Sequence, residues 1–142
     1  MTVTATPAPV TGELAPLRLN AMRAGYLLMA VGLAVVKWPQ LAIADRLPLY
    51  QGVTLCLLTA MSLLAFLGLR YPVKLLPVLL FETAWKALWL ALVALPKTVA
   101  GDLDEATSDT VVSCALVLVI IAVIPWRYVW RAYLRTTGDR WR

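Results

Sequence analysis

A carboxylate and an ammonium group stand in the middle of a long apolar stretch of the sequence. Glu82 and Lys86 are four residues apart, and Trp85 and Trp89 stand beside them. In a helix that turns about 100° per residue, the four side chains fall on one face, within a sector of about 100°. The glutamate comes first, which is the better order for an ion pair between residues i and i+4. We call Glu82, Trp85, Lys86 and Trp89 the polar cluster.

The polar cluster has two interpretations. A lone charge at the centre of a membrane-spanning helix costs about 2.5–3.5 kcal/mol. Pairing Glu82 with Lys86, or protonating Glu82, removes most of that cost, so this face is expected to point into a helix bundle. The cluster is then either a polar staple between helices, or a buried site such as a proton relay, a counter-ion pair for a ligand or a pocket floored by indoles. The hydroxyl groups expected to share hydrogen bonds with it are those of Thr54, Thr59, Ser62 and Ser113.

The overall composition places the polar cluster in a membrane. Of the 142 residues, 61% are hydrophobic and 15% are charged, and the mean hydropathy is +0.78. Soluble domains have roughly 45–50% apolar and about 25% charged residues. One core in a chain of this size cannot bury so much apolar surface, so the surplus is expected to face lipid.

Four apolar runs, at about residues 19–36, 51–69, 73–95 and 110–126, are predicted to be membrane spans. A helix needs about 20 residues to cross roughly 30 Å of hydrocarbon. Because lipid offers no hydrogen bonds, and because polarity does not alternate from residue to residue, these runs are helices rather than barrel strands. The predicted fold class is all-α: a four-helix transmembrane bundle, antiparallel, with up-down-up-down topology.

Residues 19–135 are expected to form this transmembrane domain. Residues 1–18, rich in Thr, Ala and Pro, are expected to form a flexible cytoplasmic tail, and residues 136–142 a basic one.

The end of the first helix has two alternatives. Its uninterrupted apolar core is short, so Arg23 must reach the headgroup layer from inside the span. Either the helix closes at Lys37, or it continues, kinked, through Pro39 to Ala44.

The cationic residues indicate the orientation. Four spans put the two termini and the second loop on one side of the membrane. That side holds nine lysines and arginines, against three on the other. By the positive-inside rule both termini are predicted to be cytoplasmic, N-in and C-in. The nine are Arg18, Arg23, Arg70, Lys74, Arg127, Arg131, Arg135, Arg140 and Arg142, and the three are Lys37, Arg46 and Lys97.

The fourth span is followed by a segment that combines aromatic and basic residues. In helical projection Trp126 and Trp130 lie on one stripe, and Arg127, Arg131 and Arg135 lie on an adjacent one. This pattern is typical of a helix that leaves the membrane through the interface, with its guanidinium groups on anionic lipid. It predicts an interfacial anchor, and a docking site for a cytoplasmic partner is the alternative.

Several classes of function are disfavoured by what the sequence lacks. It has no histidine, and therefore no imidazole metal site or nucleophile–histidine pair. Cys56 and Cys114 do not have a metal-binding spacing, although a disulfide between them stays open. No glycine-rich phosphate loop is present. We expect no cofactor, no metal and, because the basic residues lie at helix ends and in the tail, no nucleic-acid partner.

Two stretches resemble an uncharacterised group of small bacterial four-helix membrane proteins. They are Leu69-Arg70-Tyr71-Pro72-Val73-Lys74-Leu75-Leu76-Pro77, which leads into Phe81-Glu82-x-x-Trp85-Lys86, and Ile124-Pro125-Trp126-Arg127-Tyr128-Val129-Trp130. The first helix is also similar in hydropathy to DoxX-like proteins, through Arg23, Gly25, Gly32 and Lys37. The resemblance implies a four-helix topology and a bacterial inner membrane, and it implies no activity.

Three functional hypotheses fit these observations. The leading one is a non-enzymatic accessory or assembling membrane component that uses its buried Glu82–Lys86 face to bind another helix. The alternative is a small proton-coupled or ligand-binding carrier that acts as an oligomer. A membrane-embedded enzyme is disfavoured, because histidine, metal ligands and a nucleophile are missing. The expected partners are the lipid bilayer and either further copies of the chain or a larger membrane complex.

Overall fold

The computed structural model describes residues 14–138, and each regular element in that range is a helix. Four helical spans are long and apolar enough to cross a membrane: Pro16–Arg46, Leu49–Arg70, Leu76–Ala100 and Glu105–Val123. The prediction of an all-α chain with four such helices is confirmed. Most of the two predicted tails, residues 1–13 and 139–142, lies outside the described residues.

The first span changes its helix type at a proline. The α-helix α1 covers Pro16–Lys37, and a 3₁₀-helical segment continues over Trp38–Arg46. Pro39 has no N–H to continue the α-helical hydrogen bonds. The helix does not end there but continues with the tighter turns of a 3₁₀ helix. The side-chain amide of Gln40 donates to the carbonyl of Val36 at 3.0 Å. Of the two alternatives for this region, the kinked continuation past Pro39 is the correct one.

The second and third spans are joined by a tight turn. Helix α2 covers Leu49–Arg70 and α3 covers Leu76–Trp89. The helix begins three residues after the predicted start at about residue 73, because the chain forms a turn there and Pro77 then occupies the first turn of α3, where a missing N–H does no harm.

The third span also runs further than predicted. A π-helical segment over Leu90–Ala94 leads into α4, Leu95–Ala100, so the helix continues five residues past the predicted end at about residue 95. The N–H of Leu95 bonds the carbonyl of Leu90 in this wide turn, which adjoins Pro96. Gly101 ends the span with a φ of 71°, in the left-handed region that glycine adopts without steric cost.

The fourth span starts earlier than predicted, because an aspartate caps it. Helix α5 covers Glu105–Ala115, and the Asp104 carboxylate accepts a hydrogen bond from the Thr107 N–H at 3.3 Å. Hydrogen bonding by Thr107 lowers the pKa of Asp104, which keeps a negative charge at the positive end of the helix dipole. The helix therefore begins five residues before the predicted start at about residue 110.

The fourth span ends earlier than predicted, at a proline. Helix α6 covers Val117–Val123 and is followed by Pro125, which has no N–H for the carbonyl of Ile121. The indole N–H of Trp126 donates to that carbonyl instead, at 2.9 Å. The chain then continues as α7, Trp126–Val129, and a π-helical segment, Trp130–Arg135. Helix α6 therefore ends three residues before the predicted end at about residue 126, because Pro125 breaks the helix.

Neighbouring spans pack against each other in chain order, and the first also packs against the fourth. The contact between α1 and α2 is the most extensive, α3 packs on α2 and α6, and α6 packs on α1. The buried core lies in the half of the molecule that holds the two ends of the described chain. Its members are Met22, Tyr26, Met29, Ala30, Met61, Ala65, Leu76, Leu79, Ile120 and Ile124.

Tyr26 is the side chain that joins the first span to the second and to the turn after it. It is fully buried, and its ring lies on Gly68 so closely that a Cβ atom there would come within 2.5–2.8 Å of three ring carbons. The Tyr26 hydroxyl donates to the carbonyl of Pro72 at 2.8 Å. On the preceding turn of α1, Arg23 donates to the carbonyl of Leu69 at 3.2 Å.

Replacing Gly68 with alanine tests this packing. We expect Gly68→Ala to lower the free energy of unfolding by about 1–3 kcal/mol, the usual cost of overpacking a core, because the Tyr26 ring must move. Thermal unfolding of the purified chain in detergent measures the change. Gly32→Ala is the matched control, since nothing lies within 4 Å of a Cβ at that helical glycine. Equal stability of the two variants would contradict the contact.

Candidate functional site

The structure brings three members of the polar cluster into direct contact, all on α3. The ammonium Nζ of Lys86 lies 2.6 Å from Oε1 of Glu82. The indole N–H of Trp85 donates to Oε2 of the same carboxylate at 2.8 Å. Both carboxylate oxygens therefore have a partner, and both partners come from the helix that carries the glutamate. Trp89 lies one turn further along, half-buried, and among residues 14–138 no hydrogen bond from its indole is found.

The two charges differ in exposure. Glu82 is 1% exposed, whereas the Lys86 side chain retains 13% of its exposed surface. The Lys86 ammonium also lies 5.6 Å from the centre of the Trp85 ring, within cation–π range. Trp85 thus touches both charges, the carboxylate through its N–H and the ammonium through its ring. Trp85, rather than Trp89, makes this contact.

The hydroxyl groups that the sequence offered as partners bond elsewhere. Ser62 donates to the carbonyl of Ala30 on the neighbouring α1, at 2.9 Å. Thr54 and Thr59 donate to carbonyls four residues earlier in their own helix, at 2.8 and 2.7 Å. The prediction that these hydroxyls serve Glu82 and Lys86 is wrong: Thr54 and Thr59 each find a carbonyl at the preceding turn of their own helix, and Ser62 bonds a carbonyl of α1. Ser113 is exposed.

The fourth span covers the polar cluster from one side. Cys114 of α5 is 1% exposed and lies within electrostatic reach of Lys86 and Glu82. Cys56 is exposed on α2, and both cysteines are free thiols. A disulfide between Cys56 and Cys114, left open by the sequence, is not formed. Trp85 also packs against the buried core, so the polar cluster lies at the edge of that core.

The open grooves of the molecule lie away from the polar cluster. One, about 440 Å³, lies between the 3₁₀-helical segment and α2 and is lined by apolar side chains and Cys56. Another, about 310 Å³, lies beside Lys37 and Tyr50. Neither is lined by Glu82 or Lys86. Within residues 14–138 no group of three or more acidic or cysteine side chains comes close enough together to hold a metal ion.

The predicted interfacial anchor is exposed as the sequence suggested, on α7 and the π-helical segment after it. Its five members, Trp126, Arg127, Trp130, Arg131 and Arg135, are all exposed. The sequence did not reveal that Arg18 reaches this corner, where its guanidinium donates to the carbonyl of Ile124 at 2.6 Å. Pro125 predicts a broken helix, but no local sequence pattern indicates which side chains bond the carbonyl groups near the break.

Comparison of the chain with models of known protein families, with characterised proteins and with solved structures gave no match. The function is therefore inferred from the geometry of the chain itself.

The hydrogen bond from Trp85 to Glu82 can be tested by removing the indole N–H. We expect Trp85→Phe to lower the free energy of unfolding by about 2 kcal/mol, because a hydrogen bond to a buried carboxylate is lost. Trp89→Phe is the matched control on the same helix and is expected to change the stability much less. Unfolding of each variant in detergent gives the comparison. Equal effects of the two changes would show that Trp85 contributes bulk alone.

Proposed function

We propose that this chain is a multi-span protein of the bacterial inner membrane, with both termini in the cytoplasm. Four helices are long and apolar enough to span a bilayer, and consecutive spans pack as neighbours, which supports an antiparallel up-down-up-down bundle. The excess of nine cations over three on the side of the termini supports the orientation. Two of the nine, Arg140 and Arg142, lie outside the described residues.

Within that membrane the chain acts as a non-enzymatic accessory or assembling component. The observation that carries this proposal is the pairing of both Glu82 carboxylate oxygens with side chains of the same helix. A carboxylate held in this way at 1% exposure is a structural group rather than one presented to a ligand. The outer surfaces of the four spans, which are mostly apolar and open, are left for lipid or for other helices.

The role of the pair therefore differs from the sequence-based hypothesis. A side chain that is 1% exposed cannot be the surface that meets a second protein, so Glu82 serves contacts within the chain. The partner helix is met by exposed apolar residues of the same span, such as Phe81 and Leu88.

A small proton-coupled or ligand-binding carrier, acting as an oligomer, is the second candidate. One observation favours it: Lys86 keeps part of its surface exposed while it pairs with a buried carboxylate. Ionisable residues inside a membrane often belong to ion or proton pathways. A separation of α3 from the fourth span would open the pair to a ligand.

Reporter fusions test the orientation. We expect a fluorescent protein that matures only in the cytoplasm to be bright at either terminus, and a phosphatase that works only outside the cytoplasm to be inactive there. Both reporters inserted after Gly101, in the loop between the third and fourth spans, should give the opposite pattern. A phosphatase that is active at one terminus would mean an odd number of spans and would overturn the four-span topology.

A double-mutant cycle separates the two candidate functions. We expect Glu82→Gln and Lys86→Met each to lower the free energy of unfolding by about 3 kcal/mol or more, since each leaves one buried polar partner unpaired. The double variant should recover most of that loss, to within about 1 kcal/mol of the native chain. Asp102→Asn, at an exposed carboxylate, is the control and should be neutral.

The same variants are then reconstituted into vesicles and assayed for proton uptake. Recovery of stability in the double variant, with no uptake by the native chain, supports the structural role. Single variants that fold normally but abolish an uptake shown by the native chain would establish the carrier instead.

A further inference from the structure

The segment after Pro125 is held against the rest of the chain on one face only. Ile124 is extended, with φ −66° and ψ 128°, so the chain changes direction before α7 begins. Tyr128 and Val129 then pack against the buried core. The segment from Trp126 to Arg135 is consequently part of the folded chain, and its remaining faces are open.

The open faces present two kinds of side chain. Trp126, Trp130 and Tyr133 are 44%, 58% and 49% exposed, which is high for aromatic residues. Arg127, Arg131 and Arg135, which we call the arginine surface, follow one another at one-turn spacing and are also exposed. Exposed indoles beside guanidinium groups are the combination that suits the headgroup layer of a bilayer.

The charge around the arginine surface is of one sign. Among residues 14–138, the end of the molecule that holds both ends of the described chain carries seven cationic residues and no acidic one, while the described acidic residues lie at the opposite end or in the polar cluster. The cationic groups of the described residues at this end attract an anion that approaches it. The seven are Arg18, Arg23, Arg70, Lys74, Arg127, Arg131 and Arg135.

Three hydrogen bonds hold the arginine surface in place. The Trp126 indole donates to the Ile121 carbonyl, and Arg18 donates to the Ile124 carbonyl. At the far end the Thr136 hydroxyl donates to the carbonyl of Arg131 at 2.7 Å and closes the last helical turn. A surface that is already ordered loses less conformational entropy when it binds.

We propose that the arginine surface binds the phosphate groups of anionic phospholipids in the bilayer leaflet on the side of the termini. This inference rests on the proposed membrane insertion and adds a lipid selectivity to it. Guanidinium groups form paired hydrogen bonds with phosphate oxygens, and the exposed aromatic side chains lie among the headgroups beside them. A free phosphate ion would use the arginines and gain nothing from the aromatic residues, which is why a lipid is the better fit.

The test measures lipid retained by the full chain. The native protein is purified in a neutral detergent, titrated with phosphatidylglycerol or phosphatidylcholine, and the bound lipid is counted by native mass spectrometry. We expect phosphatidylglycerol to be retained in preference to phosphatidylcholine. Neutralising Arg127, Arg131 and Arg135 together to glutamine should weaken phosphatidylglycerol binding by about a hundredfold, since each cation near an anionic surface is worth about fivefold.

Two further variants serve as controls. Lys37→Gln, Arg46→Gln and Lys97→Gln in one chain remove the same charge from the other end and should leave the binding unchanged. Arg127→Lys, Arg131→Lys and Arg135→Lys in one chain keep the charge but lose the paired hydrogen bonds of the guanidinium groups, so this variant should bind phosphatidylglycerol more weakly than the native chain and more tightly than the glutamine variant. Circular dichroism verifies that each variant is helical, and raised salt should weaken the binding to the native chain.

Several results would overturn the inference. It fails if the two neutralised variants lose phosphatidylglycerol equally, if the native chain holds phosphatidylcholine as tightly, or if inorganic phosphate displaces the lipid at comparable concentration. A folded arginine-to-glutamine variant that binds like the native chain would also refute it. Failure of the native chain to insert into vesicles at all is a different outcome, because it would overturn the proposed membrane location itself.

Discussion

A polar group inside a pack of apolar helices has no water to bond, so its partner must come from the chain. The Glu82 carboxylate meets this demand within one helix, through Lys86 and Trp85. The Tyr26 hydroxyl meets it across helices, through the Pro72 carbonyl at the turn that joins the second and third spans. The positions of the spans relative to one another follow from contacts between helices, such as that of Tyr26, together with the apolar core around them. The apolar outer surface alone specifies no particular neighbour.

Prolines leave backbone carbonyl groups in need of a hydrogen-bond donor, and side chains supply it. A proline in the interior of a helix withdraws an N–H and leaves a carbonyl without its helical donor. The Trp126 indole serves the carbonyl that Pro125 leaves open, Arg18 serves the carbonyl of the residue just before it, and Gln40 bonds a carbonyl beside Pro39. Two of these donors are residues that a sequence reading would assign to the membrane interface for their charge or their aromatic ring. Here Trp126 and Arg18 also bond carbonyl groups at the break before α7. The same side chains therefore contribute both to the predicted membrane interface and to the fold.

The number of spans could be predicted from the sequence because twenty-residue apolar runs have few other uses, and the Glu82–Lys86 pair could be predicted because four-residue spacing in a helix is enough to bring the groups together. The boundaries were less accurate where one residue decides them: Asp104 starts the fourth span before its apolar run begins, and Pro77 delays the start of the third. Contacts between helices could not be predicted. Nothing near Ser62 in the sequence indicates Ala30, and nothing near Arg18 indicates Ile124, because each pair meets only after the helices have packed.

The buried core lies in one half of the molecule, near the ends of the described chain, and this position has a dynamic consequence. In the other half the third span contains a wide π-helical turn, the first ends in a 3₁₀ segment, and fewer side chains are buried. Local opening costs least where buried apolar contacts are fewest. Amide protons in that half should therefore exchange with solvent first. The four spans should separate from one another at that end, while the packing around Tyr26 holds them together at the other.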